Sequence, residues 1–142
     1  MSRRALALLA RLERAELERE QRALASAQAD LARTEAGVAA REAAFGGELM
    51  LALEMPGGAG LAAGHAVGHR RQQARLRTEC RRLDSESQRL GTVLQERAVA
   101  LRTLELAAAE LKAKDDAVVA QAEQKRLDDA AVIRHVVSGR CG

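Results

Sequence analysis

A column of apolar residues at an unbroken spacing of seven runs through the first third of the chain: Leu17, Leu24, Leu31, Val38 and Phe45. That spacing keeps one stripe of an α-helix turned toward a partner helix, and a strand cannot produce it. A second column follows at Leu76, Leu83, Leu90, Arg97, Leu104, Leu111, Val118, Lys125 and Val132, apolar at seven of its nine places. Between the two, residues 46–68 hold seven of the eleven glycines and the only proline. Two helical stripes around one break predict an all-α chain: two long helices in an antiparallel coiled-coil hairpin, with the C-terminal helix the longer.

The stripes differ in quality. In the first, the companion column four residues on reads Gln21, Gln28, Glu35, Glu42 and Leu49, while the alternative three residues on offers only Ala27 as an apolar member. In the second, the residues four on are Cys80, Ser87, Leu94, Leu101, Ala108, Asp115, Ala122, Asp129 and Val136. The second seam is therefore fullest between Leu90 and Ala108. Lys125 and Asp129 at seam positions predict that the last turns do not pack on a helix of the same chain.

Pro56 cannot donate a backbone hydrogen bond and biases Met55 away from helical angles, so a helix should end there. Leu49 and Ala52 stay in phase with Phe45, which carries the first helix past Gly46 and Gly47. The boundaries expected over residues 1–142, taken as one unit, are helix 3–55, an open turn at 56–64, helix 66–137 and a tail at 138–142. At about 1.5 Å per residue the first helix is about 80 Å long and the second about 100 Å. The N-terminus then falls beside Lys114 to Gln124.

Composition agrees with a thin seam rather than a compact core. Of 67 apolar residues, 31 are Ala and 20 are Leu, with one Phe and one Ile. Ala, Leu, Glu, Arg and Gln form helices well, and Ala has little area to bury. The two cysteines, Cys80 and Cys141, are too few for a disulfide scaffold and suggest a reduced, cytosolic setting. Cys80 falls on an apolar helical position, and Cys141 sits in a tail expected to fray. No stretch reads as a secretory leader or a membrane span: 49–63 is short and holds Glu54, Pro56 and three glycines.

A two-helix rod has almost no concavity in which catalytic groups converge, and the chain has neither Tyr nor Trp. The run GGAGLAAG at 57–64 lacks the Gly-Lys-Ser/Thr ending of a phosphate loop and reads as a turn. We therefore expect no enzyme and no cofactor. His65 and His69, four apart, could share a helical face toward a metal, but no carboxylate or third ligand lies near them in sequence apart from Cys80. His135 reads as an exposed or partner-facing side chain.

The charge of +3 is unevenly placed. Arg70, Arg71, Arg75, Arg77, Arg81 and Arg82 have only Glu79 among them, enough to attract phosphates or an acidic protein surface. A nucleic-acid binder would use them as phosphate contacts, yet Phe45 is alone as an aromatic platform. A basic leucine zipper would run these arginines into a parallel dimer, whereas the break before them favours a hairpin. No nucleic acid is expected, and a generic structural coiled coil stays open.

The stretch AEQKRLDDAAVIR at 122–134 resembles the closing signature of the flagellar export stalk family and its relatives in virulence type III secretion. Matching positions are Glu123, Gln124, Lys125, Leu127, Asp128, Ala131 and Arg134. LERAELEREQRALASAQADLA at 12–32 is similar to the family's Arg/Glu-rich opening. The glycine-rich segment at 57–68 is looser than a family hairpin tip.

That resemblance implies a non-catalytic component whose hairpin enters the pore of a hexameric export ATPase. It also implies contacts with the membrane-embedded export gate, and the escort of free export chaperones. The location implied is cytoplasmic, peripheral at the inner face of the cell membrane. The ATPase-binding residues expected are Gln124, Lys125, Leu127, Asp128 and Arg134, with Arg11 and Arg14 because a hairpin brings the N-terminus toward the same end. Leu76 and Leu83, near the turn, are the expected gate contacts.

Overall fold

A computed structural model of the chain describes residues 2–141, and side chains for residues 2–140. The side chain of Cys141, expected in a frayed tail, and Gly142 lie outside the described residues. Two α-helices account for nearly all of it: α1, Arg3–Glu54, and α2, Gly58–Cys141. Among the described residues there is no strand. The two helices pack against each other.

Ser2 starts α1. Its Oγ accepts from the Ala5 amide at 3.1 Å and its carbonyl from the Leu6 amide at 3.0 Å, so one of the otherwise unpaired first-turn donors is satisfied by the side chain. At the other end the reversal takes only Met55, Pro56 and Gly57. The Gly58 amide donates to the Met55 carbonyl at 2.9 Å, with Pro56 second and Gly57 third in the turn at φ +72°. That is the pattern of a type II turn, in which proline presets one angle and glycine supplies the positive one.

This corrects the expected open turn at 56–64. Helix α2 begins at Gly58 rather than 66, α1 ends at Glu54, and α2 continues through the expected tail to Cys141. Gly58 acts by its size. Ala52, Gly58 and Ala62 are buried, and a Cβ on Gly58 would run into the Ala52 carbonyl and the Leu53 backbone. Gly60, Gly64 and Gly68 have nothing within 4 Å of that position, so they are tolerated within the helix rather than required there.

Contacts group the chain into two compact units, Glu16–Arg97 and Met1–Ala15 with Ala98–Gly142, where the sequence suggested one. In Glu16–Arg97 the covered residues of α1 include Leu17, Glu20, Leu24, Ala27, Leu31, Thr34, Val38, Arg41, Phe45, Leu49 and Ala52. Up to Arg41 the companion column is thus the one three residues on, and after Phe45 it passes to Leu49, four on. Gln21, Gln28, Glu35 and Glu42, expected in the seam, are exposed. On α2 the covered residues include Ala62, Ala66, His69, Gln73, Leu76, Cys80, Leu83, Ser87, Leu90, Leu94 and Arg97, which from Leu76 on follow the expected register. Pairings run oppositely along the two helices: Glu42 meets His69, Val38 meets Gln73, and Glu20 meets Arg97.

In the other unit Leu6 and Leu101 are buried at 6% and 8% exposure, and Arg14 and Arg3 bond Glu105 at 2.8 Å and Asp115 at 3.9 Å. No described large side chain is completely enclosed in either unit. Seams this thin bury little per residue, so each Leu matters to stability.

Candidate functional site

The residues singled out from the sequence fall into three settings. The first is the end of α2. The last residue with any cover is Leu111; from Lys112 to Arg140 every side chain is exposed. This stretch holds Gln124, Lys125, Leu127, Asp128 and Arg134. Val118, Val119, Val132, Ile133, Val136 and Val137 are 47–64% exposed there, more than an isolated surface valine explains. Gln124 donates to Asp128 at 3.0 Å along the helix, while Lys125 and Asp129 have no ion pair among the described residues.

Arg11 and Arg14 are exposed but do not join this group. Arg14 is held at Glu105, 19 residues before Gln124 on the same helix, which is about 29 Å of helical rise. Arg3, at the N-terminus, reaches Asp115, within the stretch from Lys114 to Gln124 expected beside it. The expectation for Leu76 and Leu83 is corrected. Leu83 is 4% exposed and Leu76 half-buried, both facing α1, so neither side chain is presented to a gate.

The second setting is a polar node inside Glu16–Arg97 that hydropathy did not single out. His69 and Gln73 are buried at 9% and 5% exposure. The Glu42 carboxylate on α1 takes the Gln73 amide at 2.8 Å and lies 3.1 Å from His69 Nε2, while the Gln73 amide also reaches the Val38 carbonyl at 3.3 Å. Phe45 stacks on the His69 ring at 4.0 Å between centroids and 8° between planes. The Gln73 bond, then the His69 bond, hold the Glu42 carboxyl below its ordinary value. His69 is thus taken up by packing and one carboxylate, and His65 lies 3.9 Å from Glu48 instead of sharing a ligand with it. Among the described residues no three His, Cys, Asp or Glu side chains gather to hold a metal. The node's signal in sequence was the seven-residue step back from Leu76 to His69, hidden by the glycines around it.

A half-buried ion pair adds to this seam. Arg97, the basic interruption in the second leucine column, lies 3.7 Å from Glu20 of α1. A charge at a seam position is tolerable when its partner comes from the facing helix.

The third setting is the arginine run. All six arginines from Arg70 to Arg82 are exposed, and Arg77 lies close enough to Glu42 of α1 to help hold its carboxyl below the ordinary value. Arg82 is bound to Glu79 at 2.5 and 3.0 Å, which raises its pKa and lowers that of Glu79, and Arg81 donates to Thr78 at 3.2 Å. Arg70, Arg71 and Arg75 make no ion pair among the described residues. No helix among the described residues is long and apolar enough to cross a membrane. Comparison with protein-family models, with curated proteins and with solved structures returns no match for this chain.

Proposed function

We propose that the chain is a non-catalytic stalk or adaptor of a type III protein export apparatus, its two helices forming an antiparallel coiled-coil hairpin. In this reading the exposed end of α2 engages a hexameric export ATPase. The observation that carries it is the exposure of every side chain from Lys112 to Arg140, with Gln124, Lys125, Leu127, Asp128 and Arg134 all inside that stretch. An 84-residue helix that leaves apolar and charged residues bare over its last 29 described side chains has a surface suited to another molecule. A binding helix changes a ring by favouring one arrangement of its subunits, which takes differential contacts and no chemistry of its own. Export gate and chaperone contacts belong to the same proposal, with peripheral attachment to the inner membrane face through those partners.

The test is reconstitution with a cognate export ATPase. The full chain should co-purify with the ATPase and stimulate hydrolysis or ring assembly. Replacing Gln124, Lys125 and Asp128 together by Ala should weaken that effect with helicity unchanged. Failure to bind or stimulate a correctly folded ATPase would sink the proposal.

One observation favours a second reading. Arg70, Arg71 and Arg75 are exposed and make no ion pair among the described residues, which leaves their charge open to phosphates. Duplex and single-strand binding measured across a salt series separates the two: affinity that persists at physiological salt favours nucleic acid, and affinity confined to low salt leaves an ordinary solvated face.

A further inference from the structure

The seam of α2 does not stop where its cover stops. Its seven-residue columns continue through Val118, Lys125 and Val132 and through Ala122, Asp129 and Val136, in register with the covered residues Leu104, Leu111 and Ala108. The exposed stretch is thus an extension of an interface already formed in the same unit, lacking only its second helix.

We infer that this second helix is the same segment of another copy of the chain, running antiparallel and centred between Ala122 and Val132. The pairing is dictated by the order of the residues. Reversed on itself about residue 127, the segment sets Val118 against Val136 of the copy, Ala122 against Val132 and Lys125 against Asp129, and then the same three layers again by symmetry. Antiparallel seams pair the two columns with each other in this way, as Phe45 and His69 do within the chain. All six layers match, four apolar and two of opposite charge. A shift by one heptad in either direction sets Lys125 and Asp129 against Val or Ala. The parallel, in-register arrangement sets Lys125 against Lys125 and Asp129 against Asp129. Buried or half-buried like charges cost more than the alternative, so one orientation and one register are specified.

The surroundings fit. Val119 comes beside Ile133 of the copy, which covers two of the exposed apolar side chains outside the layers. Gly139 of the copy falls at Asp115, which Arg3 of α1 reaches at 3.9 Å, so the end of the copy's helix meets the start of α1. The arrangement is a two-fold, self-complementary interface. Arg126 and Asp128 each approach their own copies near the two-fold, in a centre whose total charge is balanced. Those like pairs, and two Ala layers, make the association weak. The inference rests on the helix itself and not on the proposed function.

The experiment is sedimentation equilibrium of the full chain from about 1 µM to about 1 mM, with circular dichroism to check helicity. The wild type should pass reversibly from monomer to dimer. Lys125→Asp sets Asp against Asp, Asp129→Lys sets Lys against Lys, and each should weaken dimerisation by about tenfold or more with helicity unchanged. The double variant K125D/D129K restores opposite charges in both layers and should dimerise as the wild type does. An equimolar mixture of the two single variants should form the mixed dimer. A chain that stays monomeric throughout would overturn the inference and assign the face to a different partner. So would single variants that dimerise like the wild type, or a double variant that does not recover.

Discussion

The seam of α2 between Leu76 and Leu111 and its continuation between Asp115 and Val136 have the same periodicity and opposite fates. Over the first, Leu83, Leu90 and Leu101 are 4–8% exposed against α1. Over the second, Val118, Val132 and Val136 are 47–64% exposed against nothing in the chain. A heptad column therefore tells where a helix is built to pair, and not whether the partner is supplied by the same molecule. Where the partner is internal, polar interruptions are answered from the facing helix: Arg97 by Glu20, and His69 and Gln73 by Glu42. In the exposed part Lys125 and Asp129 have no such answer within the chain.

The comparison breaks most sharply on paired truncations. Leu83→Ala should cost about 2–3 kcal/mol of stability, since the lost contacts leave a gap in a seam with little else in it. Val132→Ala should stay within about 0.5 kcal/mol at concentrations where the chain is monomeric. Urea unfolding followed by circular dichroism reads both. Equal effects would mean that the end of α2 packs on its own chain after all.

Glycine substitutions sharpen the same contrast at the reversal. Gly57→Ala places a side chain at φ +72° and should cost about 1–2 kcal/mol. Gly58→Ala forces the two helix ends apart and should also destabilise. Gly60→Ala and Gly64→Ala meet open space and should each stabilise by about 1 kcal/mol. A melting series separates the two signs; a loss at Gly64 would argue for a longer open turn.

The smallest effect concerns the Glu42 node and pH. Because the folded state holds the Glu42 carboxyl below its ordinary 4.5, the unfolded chain binds that proton more readily. Stability from the node is therefore fully present above the ordinary value and is lost as the pH falls through the lowered one. The stability difference between wild type and Glu42→Gln should shrink as the pH falls below the ordinary carboxylate value. A difference that grows with acid would contradict the hydrogen-bond assignment.

How far these features were legible in the sequence depends on what opposed them. The α2 register could be read directly, because Leu76, Leu83 and Leu90 repeat with Leu94 and Leu101 as companions. In α1 both candidate companion columns are polar, and hydropathy could not choose between Glu20, Thr34 and Arg41 on one side and Gln21, Glu35 and Glu42 on the other. The choice is made by the facing helix, which offers Arg97 to Glu20. The reversal was read as open because glycine disfavours helix, yet the close approach of Ala52, Gly58 and Ala62 needs small residues and rewards a helical start at Gly58. Leu76 and Leu83 show the limit of placing contacts by nearness to a turn: the column that made them noticeable is the one that buries them. Lys125 and Asp129 did mark the exposed stretch beforehand, since neither suits a dry seam.

The central claim, that the end of α2 is an interface without a partner in its own chain, is tested most directly by amide hydrogen exchange along α2. At low micromolar concentration, amides of Leu76–Leu111 should exchange slowly and those from Val118 to Val137 fast, because only the former open against packed contacts. Adding a cognate export ATPase, or raising the concentration of the chain itself, should slow the second group alone. Equal protection of both groups in the dilute chain would contradict the account, as would a second group that no partner and no concentration protects.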